Sequence, residues 1–167
     1  MTYQVMTVCT GNICRSPMAE VLLRQAFEDA GLDVIVTSSG ISDEEQGNPM
    51  DYRAAEALKR NNIEGKLNHK ARRATASDIA NADLIIPMTS GHAKSLRRMA
   101  DNAHLTKDIK MMRSFDPDAP QIRDQNHEYV LDVDDPWYGG DDEFQGCLEE
   151  LQAAVPGVVK YVKNQLA

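Results

Sequence analysis

Between Tyr3 and Ser38 an apolar, β-rich run passes through a short loop into a helical pattern and then into a second β-rich run. The apolar residues of Tyr3 to Val8 stop where Cys9 begins, as in a strand that feeds a loop. Met18, Val21, Leu22, Ala26 and Phe27 recur at helical spacing from about Pro17 to Ala30, and Gly31 is placed as a C-terminal stop. Val34, Ile35 and Val36 carry a second strand over Asp33 to Ser38. Strand, loop, helix, strand is a βαβ unit, whose two strands run parallel. A parallel sheet is covered on both faces and takes ligands at the carboxyl ends of its strands, so the loop after Val8 marks the end where function is sought.

The alternation continues. Ser39 to Pro49 is a polar, acidic surface loop, and Pro49 and Asp51 open a helix carrying Ala54, Ala55, Leu58 and Ile63. Lys66 to Arg73 is basic and irregular, and Ser77 to Asn81 forms a short helix. Leu84-Ile85-Ile86 marks a buried third strand within Ala82 to Met88, with Pro87 at its end because proline cannot serve inside a ladder. A helix over Ser90 to Asp101 turns Leu96 and Met99 inward and Lys94, Arg97 and Arg98 outward, and Ile109 to Met112 is the fourth strand. Arg113 to Gly140 is rich in Asp, Pro, Gly and aromatic residues, a connection long enough to suggest a functional loop. The last helix starts near Asp141, buries a stripe from Phe144 and Cys147 through Leu148, Leu151, Val155, Val158, Val159 and Val162 to Leu166, and is kinked at Pro156. With no repeat or linker, residues 1–167 read as one domain.

Chemistry concentrates in V-C-T-G-N-I-C-R-S-P-M-A-E, Val8 to Glu20. Gly11 and Asn12 tolerate positive φ, so the backbone of Thr10, Gly11, Asn12, Ile13 and Cys14 can curl until its N–H groups converge. Ser16-Pro17 offers an N-cap and a proline in the first helical position, which sets a helix N-terminus behind the cradle. Only a thiolate attacks well, and N–H groups, Arg15 and a helix N-terminus around Cys9 favour it. The same groups would hold a phosphate dianion over the sulfur, with the planar fork of Arg15 matched to two of its oxygens. Ser16 is close enough to donate to the sulfur. Alone, Cys9 would read as a buried strand-end residue and Arg15 as a solvated one; their spacing and context favour an anion-binding loop with a built-in nucleophile.

A net charge of -8 excludes a binder of duplex nucleic acid, although a local field can still hold a small anion. The start Met1 to Val5 lacks the features of a signal peptide, and no run approaches the roughly 20 apolar residues of a membrane helix. A cytoplasmic protein with no membrane or nucleic acid partner is expected. Cys9, Cys14 and Cys147 form an odd set without disulfide-scaffold or zinc spacing, and Cys147 falls on the apolar stripe of the last helix. His92, His104 and His127 stand in polar settings and read as surface residues. No metal site or cofactor is expected.

The loop, together with Asp135-Pro136-Trp137-Tyr138-Gly139 far downstream, resembles the low-molecular-weight protein tyrosine phosphatase family over essentially the whole chain. The resemblance implies a flavodoxin-like α/β three-layer sandwich with a four-stranded parallel sheet of order 2-1-3-4. It also implies metal-free hydrolysis of phosphotyrosine in proteins through a cysteinyl-phosphate, by a monomer or weak dimer. Cys9 then corresponds to the nucleophile and Arg15 to the phosphate-binding arginine, while Asn12, Ser38 and His69 match positions that brace the loop. Cys14 matches a residue that can pair with the nucleophile and spare it from over-oxidation; the alternative is a buried, inert thiol.

A departing phenolate needs a proton, and a carboxylic acid on a second loop must supply it. Asp116-Pro117 and Asp135-Pro136 both qualify, since Asp-Pro is also a common turn opener. The resemblance selects Asp135 over Asp116, Asp132 and Asp134, because an aromatic pair and a glycine follow it. Trp137 and Tyr138 would wall a cleft that grips an aromatic ring. Glu44 and Glu45 fall where the family often carries an aromatic residue on the same cleft. A thiol-dependent arsenate reductase would need further cysteines between Ala71 and Asn102, where there are none. A protein-arginine phosphatase typically has threonine in place of Ile13, and a non-catalytic phosphotyrosine binder has no use for an activated thiolate.

Overall fold

The computed structural model describes residues 2–64 and 68–167; Lys66, at the start of the basic segment, lies outside them. Strands β1 (Tyr3–Cys9), β2 (Val34–Gly40), β3 (Leu84–Pro87) and β4 (Asp108–Ile109) form a parallel sheet in the order β2-β1-β3-β4. Helices α1 (Arg15–Asp29), α2 (Tyr52–Arg60), α3 (Ala76–Asn81), α4 (Ser90–Asn102) and α5 (Asp141–Leu166) cover it. Strand alternation decides which helices lie on which face. Val5, Leu84 and Ile86 point to one side, where they pack with Met18, Leu23 and Phe27 of α1 and Phe144, Leu148, Leu151 and Val158 of α5. Met6, Val8 and Ile85 point to the other, against Ile79 of α3 and Leu96 and Ala100 of α4. The outcome is the expected flavodoxin-like sandwich. Each fully buried Leu or Phe in it contributes about 1.5–3 kcal/mol.

Several boundaries differ from the sequence reading. Strand β4 is Asp108–Ile109, not Ile109 to Met112. Lys110 N donates to Ile85 O at 3.0 Å, and the next bond of that ladder would have to come from Pro87, which has no N–H. The chain therefore leaves the sheet, and Met112–Phe115 forms a 3₁₀ turn. Helix α1 starts at Arg15, with Cys14 at its cap making no side-chain bond, so Ser16 is inside the helix rather than its cap. Leu166 is 45% exposed and falls off the α5 stripe, whose last buried residue is Val162. The long connection before α5 holds two further 3₁₀ turns, Gln125–Leu131 and Pro136–Tyr138.

Candidate active site

Strand β1 delivers Cys9 to the carboxyl edge of the sheet, and residues 10–14 curl above it before α1 begins. The loop turns at Asn12, whose φ of 62° is left-handed; Gly11 is not in that region. Asn12 tolerates the conformation because its side chain bonds locally. Its Nδ2 donates to Ser16 Oγ at 2.8 Å and Ser38 Oγ at 3.0 Å, and its Oδ1 accepts from Arg72 N at 3.1 Å. His69 Nε2 meets the Asn12 carbonyl at 2.5 Å. Ser38 in turn donates to the buried carboxylate of Glu20 at 2.6 Å, and Arg24 of the next turn of α1 pairs with Glu20. Gly40 ends β2 against the same loop: a Cβ there would lie 2.6 Å from Thr10 O and 3.2 Å from Asn12 N. The curl thus rests on contacts from β2, α1 and the segment 69–72.

Among the described residues none of the N–H groups of 11–16 donates to a backbone carbonyl. The loop borders a cleft of about 260 Å³ lined by Cys9, Thr10, Gly11, Ile13, Cys14, Arg15, Glu44, Glu45, Asp135, Trp137 and Tyr138. At its floor Cys9 Sγ lies 3.0 Å from Ser16 Oγ. Because Ser16 Oγ accepts from Asn12, its hydrogen is free for the sulfur, with Ser39 O farther off at 3.4 Å. Arg15 is 4% exposed. Its Nη1 donates to Val133 O at 2.9 Å, while Nη2 reaches Thr10 Oγ1 at 3.4 Å and Asp135 Oδ2 at 3.6 Å. Arg15 Nε is buried and has no partner among the described residues. Such an orphan donor calls for an anion.

Asp135 faces this cleft across from the loop, held by its own turn: Oδ1 accepts from Trp137 N at 3.1 Å. Asp116 instead lines a separate depression with Pro117 and Pro120, and Asp132 accepts from Ser90 N at the start of α4. Trp137 and Tyr138 are 41% and 93% exposed at the mouth. Arg53 of α2, which the sequence reading did not single out, ties this wall to the loop. Its guanidinium lies 5.0 Å over the Trp137 ring and 4.7 Å over Phe144, and Nη1 donates to Trp137 O and Gly139 O at 2.9 and 3.1 Å. Its Nε and Nη2 hold both oxygens of Asp51, whose N–H donates to Ile13 O at 2.8 Å. Burial works against the Asp51 charge, but the bonds from Arg53 hold its carboxyl below the usual range. The carbonyl partners of Arg53, on Trp137 and Gly139, lie 84 and 86 residues away, so no local pattern announces this link.

Expected at the surface, His92 is instead buried, at 7% exposed, with Nε2 2.8 Å from Thr10 Oγ1. Burial first, and then the charge of Arg15, lower its pKa to about 3. The polar neighbours Ser90, Gly91 and Lys94 hid this. The available signal was Thr89-x-x-His92 directly behind β3, a capping-box spacing at the ligand end of the sheet. His104 and His127 are exposed. Cys14 and Cys147 are free, buried thiols. Burial, followed by the charges of Asp51, Cys9 and Asp135, raises Cys14 well above an ordinary thiol, with Arg53 opposing. Burial pushes Cys147 up to about 12.

A family model described as low molecular weight phosphotyrosine protein phosphatase matches residues 4–167. The chain is 41% identical to a low molecular weight protein-tyrosine-phosphatase of Streptomyces coelicolor over 168 residues, 99% of this chain and 97% of that one. Its fold matches a protein tyrosine phosphatase structure from Entamoeba histolytica with a TM-score of 0.83 at 24% identity, over 99% of this chain and 100% of the other. A Drosophila arginine phosphatase structure matches with a TM-score of 0.82 at 25% identity, over 95% and 97%.

Proposed function

Because the chain belongs to the low molecular weight phosphotyrosine protein phosphatase family, we propose that it hydrolyses phosphotyrosine in proteins through a cysteinyl-phosphate intermediate. The Cys9 thiolate attacks phosphorus, the S–P bond forms, the P–O bond to the tyrosyl oxygen breaks, and Asp135 gives its proton to the departing phenolate. The N–H groups of 11–16 and the Nε and Nη2 edge of Arg15 take the phosphoryl oxygens as their charge redistributes. Water then attacks phosphorus and Asp135 takes its proton. The S–P bond breaks, and Sγ leaves as a thiolate that accepts from Ser16. Every role is filled by a group of this chain, so no cofactor is invoked.

The observation that carries this reading is one cleft shared by Cys9, by a loop whose N–H groups donate to no backbone carbonyl among the described residues, by Arg15 with its buried, unpartnered Nε, and by Asp135. Apolar Ile13 and the Trp137 ring line the cleft where a phenyl ring would lie. No helix among the described residues is long and apolar enough to cross a membrane. A nucleophile that works only when reduced fits a cytoplasmic place of action.

Hydrolysis of p-nitrophenyl phosphate and of a phosphotyrosyl peptide tests the reading. Wild type should turn over both in the presence of EDTA, and Cys9→Ser should turn over neither; turnover by the Ser variant would refute it. One observation favours phosphoarginine as the second reading: Glu44, Glu45 and Asp135 put carboxylates around the cleft, where a guanidinium leaving group would be welcome. A direct competition between phosphotyrosyl and phosphoarginyl peptides decides between them.

A further inference from the structure

The bond between His92 and Thr10 assigns more than contact. Thr89 N donates to His92 Nδ1 at 3.2 Å, so Nδ1 carries a lone pair and the ring is not an imidazolium. The proton of the neutral ring is then on Nε2, and the 2.8 Å contact is Nε2–H donating to Thr10 Oγ1. Arg15 Nη2 also points its hydrogen at Thr10 Oγ1, at 3.4 Å. A hydroxyl oxygen has two lone pairs and one hydrogen. With both acceptor sites of Thr10 taken by His92 Nε2–H and Arg15 Nη2–H, its own hydrogen is what it has left to offer a ligand in the cleft that it lines with Cys9, Arg15 and Asp135.

We propose that His92 is a positioning residue which, from the first turn of α4, fixes Thr10 as a hydroxyl donor to a phosphoryl oxygen bound over Cys9. Thr10 thereby adds a side-chain donor to the ring of backbone N–H groups, and its direction is set by a residue that itself touches no substrate. Were the Nε2 proton missing, Thr10 could turn its hydrogen onto the imidazole and present only lone pairs to the phosphoryl group. Those lone pairs and the anionic phosphoryl oxygen would then repel. The turnover arm of the test rests on the phosphatase reading; the binding arm does not.

The test measures inorganic phosphate affinity by calorimetry and kcat/KM on p-nitrophenyl phosphate for Thr10→Val, His92→Asn, His92→Gln and the Thr10→Val/His92→Asn double variant. Asn keeps an acceptor for Thr89 N–H but does not reach Thr10; Gln can present an N–H where Nε2 stands. Thr10→Val and His92→Asn should each weaken phosphate binding and kcat/KM roughly 10-fold, the loss of one hydrogen bond to a charged group. The double variant should be no worse than either single one, and His92→Gln should recover most of the loss. A merely structural role for His92 would instead lower Tm and give a double variant whose losses multiply. Multiplying losses, a His92→Gln no better than His92→Asn, or a Thr10→Val that binds phosphate like wild type would each overturn the proposal. Should His92→Asn not fold, the Thr10→Val and His92→Gln results still decide. Wild type that binds phosphate but shows no turnover would refute the phosphatase reading and leave the binding arm standing.

Discussion

Asn12 spends its whole side chain on holding the loop, two donors to Ser16 and Ser38 and one acceptor for Arg72, whereas Asp135 is 45% exposed on its side chain and makes one long approach to Arg15. The two residues should therefore fail differently. Asp135→Ala should lower kcat on a phosphotyrosyl peptide by roughly 10²–10⁴-fold while phosphate binds as well or better, since a carboxylate near Arg15 is gone. An equal loss from Asp116→Ala would move the acid to the other Asp-Pro turn. Cys14 is a thiol kept protonated by burial and by neighbouring carboxylates, unsuited to attack phosphorus but close in sequence to Cys9, which lines the cleft. If peroxide converts Cys9 to a sulfenic acid, the Cys14 sulfur can displace water from it and form a disulfide. Cys14→Ser should then recover less activity than wild type after peroxide and a thiol reductant. Equal recovery would leave Cys14 with a packing role only.

Helix α2 links the two halves of the site, because Asp51 at its start reaches Ile13 of the loop and Arg53 two residues on reaches Trp137 and Gly139 of the acid turn. Arg53→Ala should loosen the acid turn without touching the nucleophile. The expected signature is a kcat that falls roughly 10-fold for a poor leaving group such as tyrosine and little for p-nitrophenol, which departs without much protonation. A uniform fall for both substrates would mean that the loop, not the acid, had moved. Helix α5 carries the second element-scale constraint. Gly157 packs so closely on the turn after β4 that a Cβ would lie 2.0 Å from Phe115 O. Although alanine is the better helix former by about 1 kcal/mol, Gly157→Ala should destabilise the protein by about 2 kcal/mol, read as a lower midpoint in urea unfolding. Proline directly before it removes one helix N–H, yet α5 runs unbroken from Asp141 to Leu166.

For the molecule as a whole, the neutral imidazole of His92 ties folding to pH. Its pKa is about 3 when folded, against 6.5 for the ordinary side chain. Below 6.5 the unfolded chain therefore binds a proton that the folded chain refuses, so this contribution to stability is full above 6.5 and is lost as pH falls toward 3. The slope is about 1.4 kcal/mol per pH unit, and His92→Asn should flatten the dependence of Tm on pH between 6 and 4. What sequence made legible was whatever is local or repeats. The β1–loop–α1 unit, the Gly31 stop at φ 68° and the α5 stripe follow from periodicity and from one residue's conformational freedom. The four strands were found, but β4 was misplaced because its length depends on Pro87 in a neighbour. His92 and Arg53 were missed because burial and long-range pairing, not composition, give them their place. Val133 shows what such long-range anchoring leaves free. Its N–H bonds Met88 O at 2.8 Å, its carbonyl takes Arg15, and its side chain is fully buried. The 113–140 connection is thus riveted two residues before Asp135, so the exposed tip around Asp118 and Pro120 should tolerate lengthening, or splicing to a recognition module for a chosen phosphoprotein, while Cys9 and Asp135 keep their spacing.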